Sequence, residues 1–172
     1  MDERSQLLRA TLIAICVLAG FTIVLLSMTP ISSPIAEYYP NVLFAFCFAI
    51  LIRDPDVLPI WTVTTIFLLR DFVFFEPIGL SAFLFSIAAI VTRDKRKLFA
   101  ENLLREWASF TLILSAVMIL KSLILWILGT SISDQYLILR SITASALVYP
   151  IVVGILWGLF GIERPLSVQK AY

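Results

Sequence analysis

The residues able to do chemistry in this sequence are sparse, and their spacing argues against catalysis. No histidine occurs among the 172 residues, which removes the commonest general base and metal ligand. Zinc, haem and histidine-dependent phosphatase chemistry therefore have no foundation. Asp54 and Asp56 are the one close carboxylate pair, and with Pro55 between them they read as turn residues. Cys16 and Cys47 lie inside apolar runs without CxxC spacing. Both read as small buried apolar residues, so neither a disulfide nor a redox pair is expected. HExxH, a Gly-rich phosphate loop and a Ser–His set are all missing. The expectation is a chain with no catalytic residue, no cofactor and no metal site.

Three other polar or small-residue features remain. The first is the stretch 70–80, where Arg70, Asp71, Glu76, Pro77 and Gly79 fall between two hydrophobic runs, with Phe72, Phe74, Phe75 and Phe83 on or beside it. Charges at such a position must reach water or face a protein interior. The stretch is either an interfacial loop with solvated charges or a packed, polar-lined corner recognised by a partner or by the rest of the bundle. The second is Lys121, alone inside an apolar run. It either turns inward to pair with Asp71 or Glu76, or extends its stem to the interface. The third is Gly154 and Gly158, a GxxxG spacing that lets another helix approach closely, within the bundle or on a partner.

The elements that must position these residues follow from composition. The chain is 60% hydrophobic and only 15% charged, with a mean hydropathy of +0.99. Soluble domains run at about 45–50% apolar and about 25% charged. An all-α integral membrane protein forming a single domain is expected. Its predicted spans are 10–29, 38–52, 57–70, 74–92, 107–128 and 141–162, with a basic loop at 93–106. Thr29-Pro30 ends the first run, which reads as a retained span and not as a cleaved signal. The second and third spans are short. Arg53-Asp54-Pro55-Asp56 between them reads as a solvated turn, which favours two short spans over a re-entrant pair. Ala10 with Ala14, and Ala82 with Ser86, are further small-residue pairs. Trp107 and Trp126 read as interfacial belt residues, and Pro150 is placed to kink the last span.

Lysine and arginine counting sets the orientation. With the N-terminus inside, ten of the 13 basic residues fall on the cytoplasmic side; Arg70 and Arg140 lie outside and Lys121 lies within the membrane. Both termini are then cytoplasmic. Asp94 is a possible helix-start cap in the loop 93–106. Leu98, Phe99, Leu103 and Leu104 are compatible with a helix lying on the membrane surface, where the basic cluster could bind anionic headgroups. The plainer reading is a topology-setting loop. The basic residues are too few for nucleic-acid binding.

On these features the sequence resembles the rod shape-determining MreD family. The resemblance rests on the length, the six-span pattern with short second and third spans, Pro40 opening the second span, the element Asp71 … Pro77-x-Gly79-Leu80, and the basic loop after the fourth span. Ile66-Phe67-Leu68-Leu69-Arg70 stands where the family more often carries Gly-rich residues. The resemblance implies a non-enzymatic scaffold subunit of the cell-elongation machinery in the bacterial inner membrane. It further implies binding to the bitopic protein MreC, and a larger assembly with MreB, RodA and a penicillin-binding transpeptidase. It also implies a six-helix bundle similar to the S-component of energy-coupling-factor vitamin transporters, which keeps a small-molecule-binding transporter subunit as the alternative. Arg70, Asp71, Pro77, Gly79, Gly154 and Gly158 are the expected partner-binding residues.

Overall fold

The computed structural model describes residues 3–26, 41–74, 76–129 and 135–160. They form helices α1 (Glu3–Leu26), α2 (Val42–Arg53), α3 (Ile60–Val73), α4 (Leu80–Asp94), α5 (Arg96–Phe99), α6 (Leu103–Ile127) and α7 (Gln135–Phe160). No strand occurs among them, so the architecture is an all-α bundle.

The short helix α2 is its hub. Its twelve residues are apolar on every side until Arg53, and Leu43 through Arg53 are all buried. A helix apolar all round is a helix enclosed by others. Accordingly α2 packs against α1, α4, α6 and α7. Asn41 caps it: its Oδ1 accepts the Phe44 N–H at 3.2 Å. The Asn41 N–H in turn donates to Ser145 Oγ of α7 at 2.7 Å, which ties the start of the hub to the last helix. At twelve residues α2 rises only about 18 Å, well short of the ~30 Å hydrocarbon layer.

Helices α3 and α4 make an antiparallel hairpin. Thr64 Oγ1 meets Ser86 Oγ at 2.7 Å, and the Phe67 and Phe85 rings stack 4.2 Å apart. The Ala82/Ser86 pair lies on this interface, with Ala82 buried. From Phe67 and Phe85 an aromatic chain crosses the bundle. Phe85 meets Phe44 at 4.8 Å, Phe44 meets Phe110 at 5.7 Å, and Phe110 stacks on Tyr149 at 4.3 Å. One continuous ring core thereby joins α3, α4, α2, α6 and α7. Helix α1 covers one side, where Gly20 admits Ile66 so closely that a Cβ would lie 3.0 Å from its Cδ1. Cys16 and Cys47 are both free and buried, as small apolar residues would be.

Among the described residues, two helices are long and apolar enough to cross a membrane, Leu103–Ile127 and Ile138–Gly158. Helices α2, α3 and α4 have 12, 14 and 15 residues. Two local expectations change. The turn expected at 53–56 is present, but it is only partly solvated: Arg53 ends α2 and is buried, Pro55 is buried, and of that tetrapeptide only Asp56 is exposed. Asp94 is the last residue of α4 and not a helix-start cap, since the N-cap position of α5 is Lys95 and makes no side-chain cap bond. The segment 93–106 is therefore a helix end, a four-residue helical turn and a helix start, not one surface helix. Helix α7 runs unbroken through Pro150. Trp107, expected at the interface, donates its Nε1–H to Ala146 O at 2.7 Å and links α6 to α7.

Candidate functional site

The corner between α3 and α4 is built around Asp71, which is fully buried. Its Oδ2 accepts N–H groups from Gly79 at 3.0 Å, Ser81 at 3.1 Å and Ala82 at 3.3 Å. The first N–H groups of a helix have no partner within it. An aspartate from the end of α3 here caps the start of α4 through space, and the Asp71 carbonyl also accepts the Glu76 N–H. Gly79 adopts φ +90°, a left-handed conformation that side-chain-bearing residues resist. Pro77 O accepts the Leu80 N–H and tightens the turn. The Asp71 … Pro77-x-Gly79-Leu80 element is thus a closing device for the hairpin.

Lys121 reaches this corner from α6. Its Nζ lies 2.5 Å from Glu76 Oε2, and Ser81 Oγ donates to the same oxygen at 2.9 Å. Of the two partners open to Lys121, Glu76 takes it. Arg70 stands further off, 3.9 Å from Glu76 Oε1, with its guanidinium 5.6 Å from the Phe74 ring centroid. The corner therefore gathers Arg70, Asp71, Glu76, Ser81 and Lys121 into one polar cluster, of which only part is solvated.

A second polar cluster escaped the sequence reading. Arg53 Nη1 contacts Glu106 Oε1 at 2.6 Å, with side-chain exposures of 3% and 1%. Arg53 Nη1 also donates to Ala49 O at 2.9 Å, and the Tyr149 hydroxyl donates to Glu106 Oε1 at 2.5 Å. The cluster locks α2, α6 and α7 together. A signal for it existed. Glu106, Phe110, Ile113, Leu114 and Val117 are the buried residues of α6 and share one helical face, so the periodicity of α6 itself turns Glu106 inward.

Gly154 and Gly158 lie apart from both clusters. They are exposed, and a Cβ built on either meets nothing within 4 Å. With Leu147, Ile151 and Ile155, all exposed, they form one continuous stripe along α7. Among the described residues, none packs on the two glycines in the way their spacing allowed. Helices α6 and α7 also border a lateral cleft of about 470 Å³, apolar except for Ser122.

Comparison with protein families decides the affiliation. The model of the rod shape-determining protein MreD matches residues 5–157. The chain belongs to the MreD family. The match takes in both polar clusters and Gly154, and stops one residue short of Gly158. MreD proteins are non-catalytic membrane components of the cell-elongation machinery, where they associate with MreC. No curated protein and no solved structure matches the chain.

Proposed function

We propose that this MreD-family chain is a multi-pass scaffold of the inner membrane that grips the transmembrane helix of an MreC-like partner on the outer face of α7. The observation that carries this reading is the stripe Leu147, Ile151, Gly154, Ile155 and Gly158, which the described helices leave uncovered. In lipid, apolar burial drives no association between helices, so close backbone approach at small residues matters most. Open space above two glycines at i and i+4 suits that approach.

In this reading the polypeptide forms one domain of six spans, α5 excepted, with both termini cytoplasmic. The short helices α2, α3 and α4 are held in the membrane by their neighbours. The 70–80 corner then faces outward, and Arg70, Asp71, Pro77 and Gly79 shape a rigid surface for the juxtamembrane segment of the partner. MreB, RodA and a penicillin-binding transpeptidase join through the larger assembly. A fold similar to the S-component of vitamin transporters remains compatible with six spans, but a substrate-capturing role needs an inner chamber. Here Phe44, Phe48, Phe85, Phe110 and Tyr149 fill the centre.

The test is co-purification in detergent. Wild type retains an MreC-like partner, and the variant Gly154→Leu with Gly158→Leu releases it while eluting as a folded protein. Full retention by that variant removes the α7 face from the account.

A further inference from the structure

We propose that the segment 93–104 is a preformed binding ledge for anionic phospholipid headgroups. The proposal needs only that the bundle sits in a membrane, and it is independent of how MreC is held.

The ledge has a fixed inner side. Phe99 packs against the core and Ala100 is buried, and the turn closes through Ala100 N–H to Arg96 O at 2.8 Å. Helix α5 contacts α2, α4 and α6. The backbone that carries Arg96, Lys97 and Leu98 is therefore anchored before any ligand arrives, which lowers the ordering cost of binding.

Its outer side is more positive than the sequence suggests. Three carboxylates accompany the five cations of 93–106, and each is already committed. Glu106 is turned inward to Arg53, Glu101 pairs with Arg105, and Asp94 lies 3.4 Å from Lys95. Arg93 is held loosely by Asp56 at 3.6 Å. Among the described residues, Arg96 and Lys97 have no carboxylate partner. Burial of Glu106 thus takes a negative charge off this surface, and two adjacent cations are left to be neutralised from outside.

The same ledge exposes grease. Leu98 is 59% exposed and Leu104 is 73% exposed, on either side of the buried Ala100. A nucleic acid or an acidic peptide would answer the cations but leave these leucines in water. A lipid leaflet answers both, with headgroup phosphates at Arg96 and Lys97 and the upper acyl region at Leu98 and Leu104. Membrane-proximal basic residues gain attraction from anionic leaflets, which converts to about five-fold in binding for each charge.

The experiment uses the full chain in neutral-detergent micelles, titrated with phosphatidylglycerol or with phosphatidylcholine and read by native mass spectrometry. Phosphatidylglycerol is retained in preference, and retention falls as salt is raised. Arg96→Gln with Lys97→Gln weakens it by about five-fold per charge, while Leu98→Ser with Leu104→Ser weakens it without changing the salt dependence. Equal retention of the two lipids overturns the proposal, as does unchanged retention in the charge variant. Tighter binding of an RNA oligonucleotide or of polyglutamate than of phosphatidylglycerol overturns it too. Should the double charge variant not fold, Lys97→Gln alone, at an exposed position, and the salt titration of wild type decide the matter.

Discussion

The guanidinium of Arg53 and the carboxylate of Glu106 lie 2.6 Å apart at the meeting point of α2 and α6, sealed from solvent and joined by the Tyr149 hydroxyl from α7. A charge left alone there has no water to turn to. Glu106→Leu therefore strands Arg53 and costs about 3–5 kcal/mol, whereas Arg53→Met combined with Glu106→Leu costs far less because no charge remains buried. Tyr149→Phe removes one hydrogen bond to a charged group, worth about 1.5–3 kcal/mol. Thermal unfolding in detergent, followed by fluorescence-detected size exclusion, ranks the three. Glu106→Leu as stable as the double variant would mean that water reaches the pair.

The Lys121–Glu76 contact is asymmetric. Glu76 keeps Ser81 and the more distant Arg70 when Lys121 is lost, but among the described residues Lys121 has no other carboxylate in hydrogen-bond contact when Glu76 is lost. Glu76→Leu is therefore predicted to lower the folded yield more than Lys121→Met. Contacting residues couple, so the double variant should lose less than the two single losses together, by roughly 0.5–3 kcal/mol. Strict additivity in that cycle would place Lys121 out of contact with Glu76.

Asp71 and Gly79 act on the same helix start by different means. Asp71→Ala leaves three N–H groups without their acceptor and is predicted to cost about 1–3 kcal/mol or more. Asp71→Asn keeps an acceptor oxygen and should be milder. Gly79→Ala meets no atom within 4 Å, so any loss comes from backbone conformation at φ +90°, about 1–2 kcal/mol. Unfolding midpoints of the three variants in one detergent would check the order. An unchanged midpoint for Gly79→Ala would show that the corner relaxes without effect.

Gly154→Leu and Gly158→Leu face open space, and glycine is a poor helix former. Each is predicted to leave the isolated protein as stable as wild type, or more so by up to about 1 kcal/mol. A clear loss of stability without any partner would mean that a segment of the chain itself covers this face.

Cys16 and Cys47 are buried, so a membrane-impermeant maleimide should leave the native protein unlabelled. In that background Lys97→Cys reports topology directly. Labelling in inverted vesicles but not in intact spheroplasts is expected from the excess of basic residues predicted on the cytoplasmic side. The opposite pattern would reverse the orientation and carry the 70–80 corner to the cytoplasm.

What the sequence determined by itself was the solvent the protein lives in and the places where its chain turns. Apolar composition marked a membrane protein, Pro and Gly marked the corner at 77–79, and a lone Lys121 in an apolar run had to find a partner or reach the interface. These signals are local, each set by the residue and its near neighbours. The tertiary structure decided which partner each polar group received. Arg53 beside Asp54-Pro55-Asp56 looked solvated because loop charges usually are, yet α6 and α7 close over it and supply Glu106 and Tyr149. Gly154 and Gly158 carried a spacing that fits an internal or an external helix equally well, and only the packing of α7 on the hub through its Ser145 and Tyr149 side left the glycine side uncovered by the described residues. The reason is the same in both cases. Burial of a charge or a small residue depends on helices distant in sequence, and no local pattern records which of them will arrive.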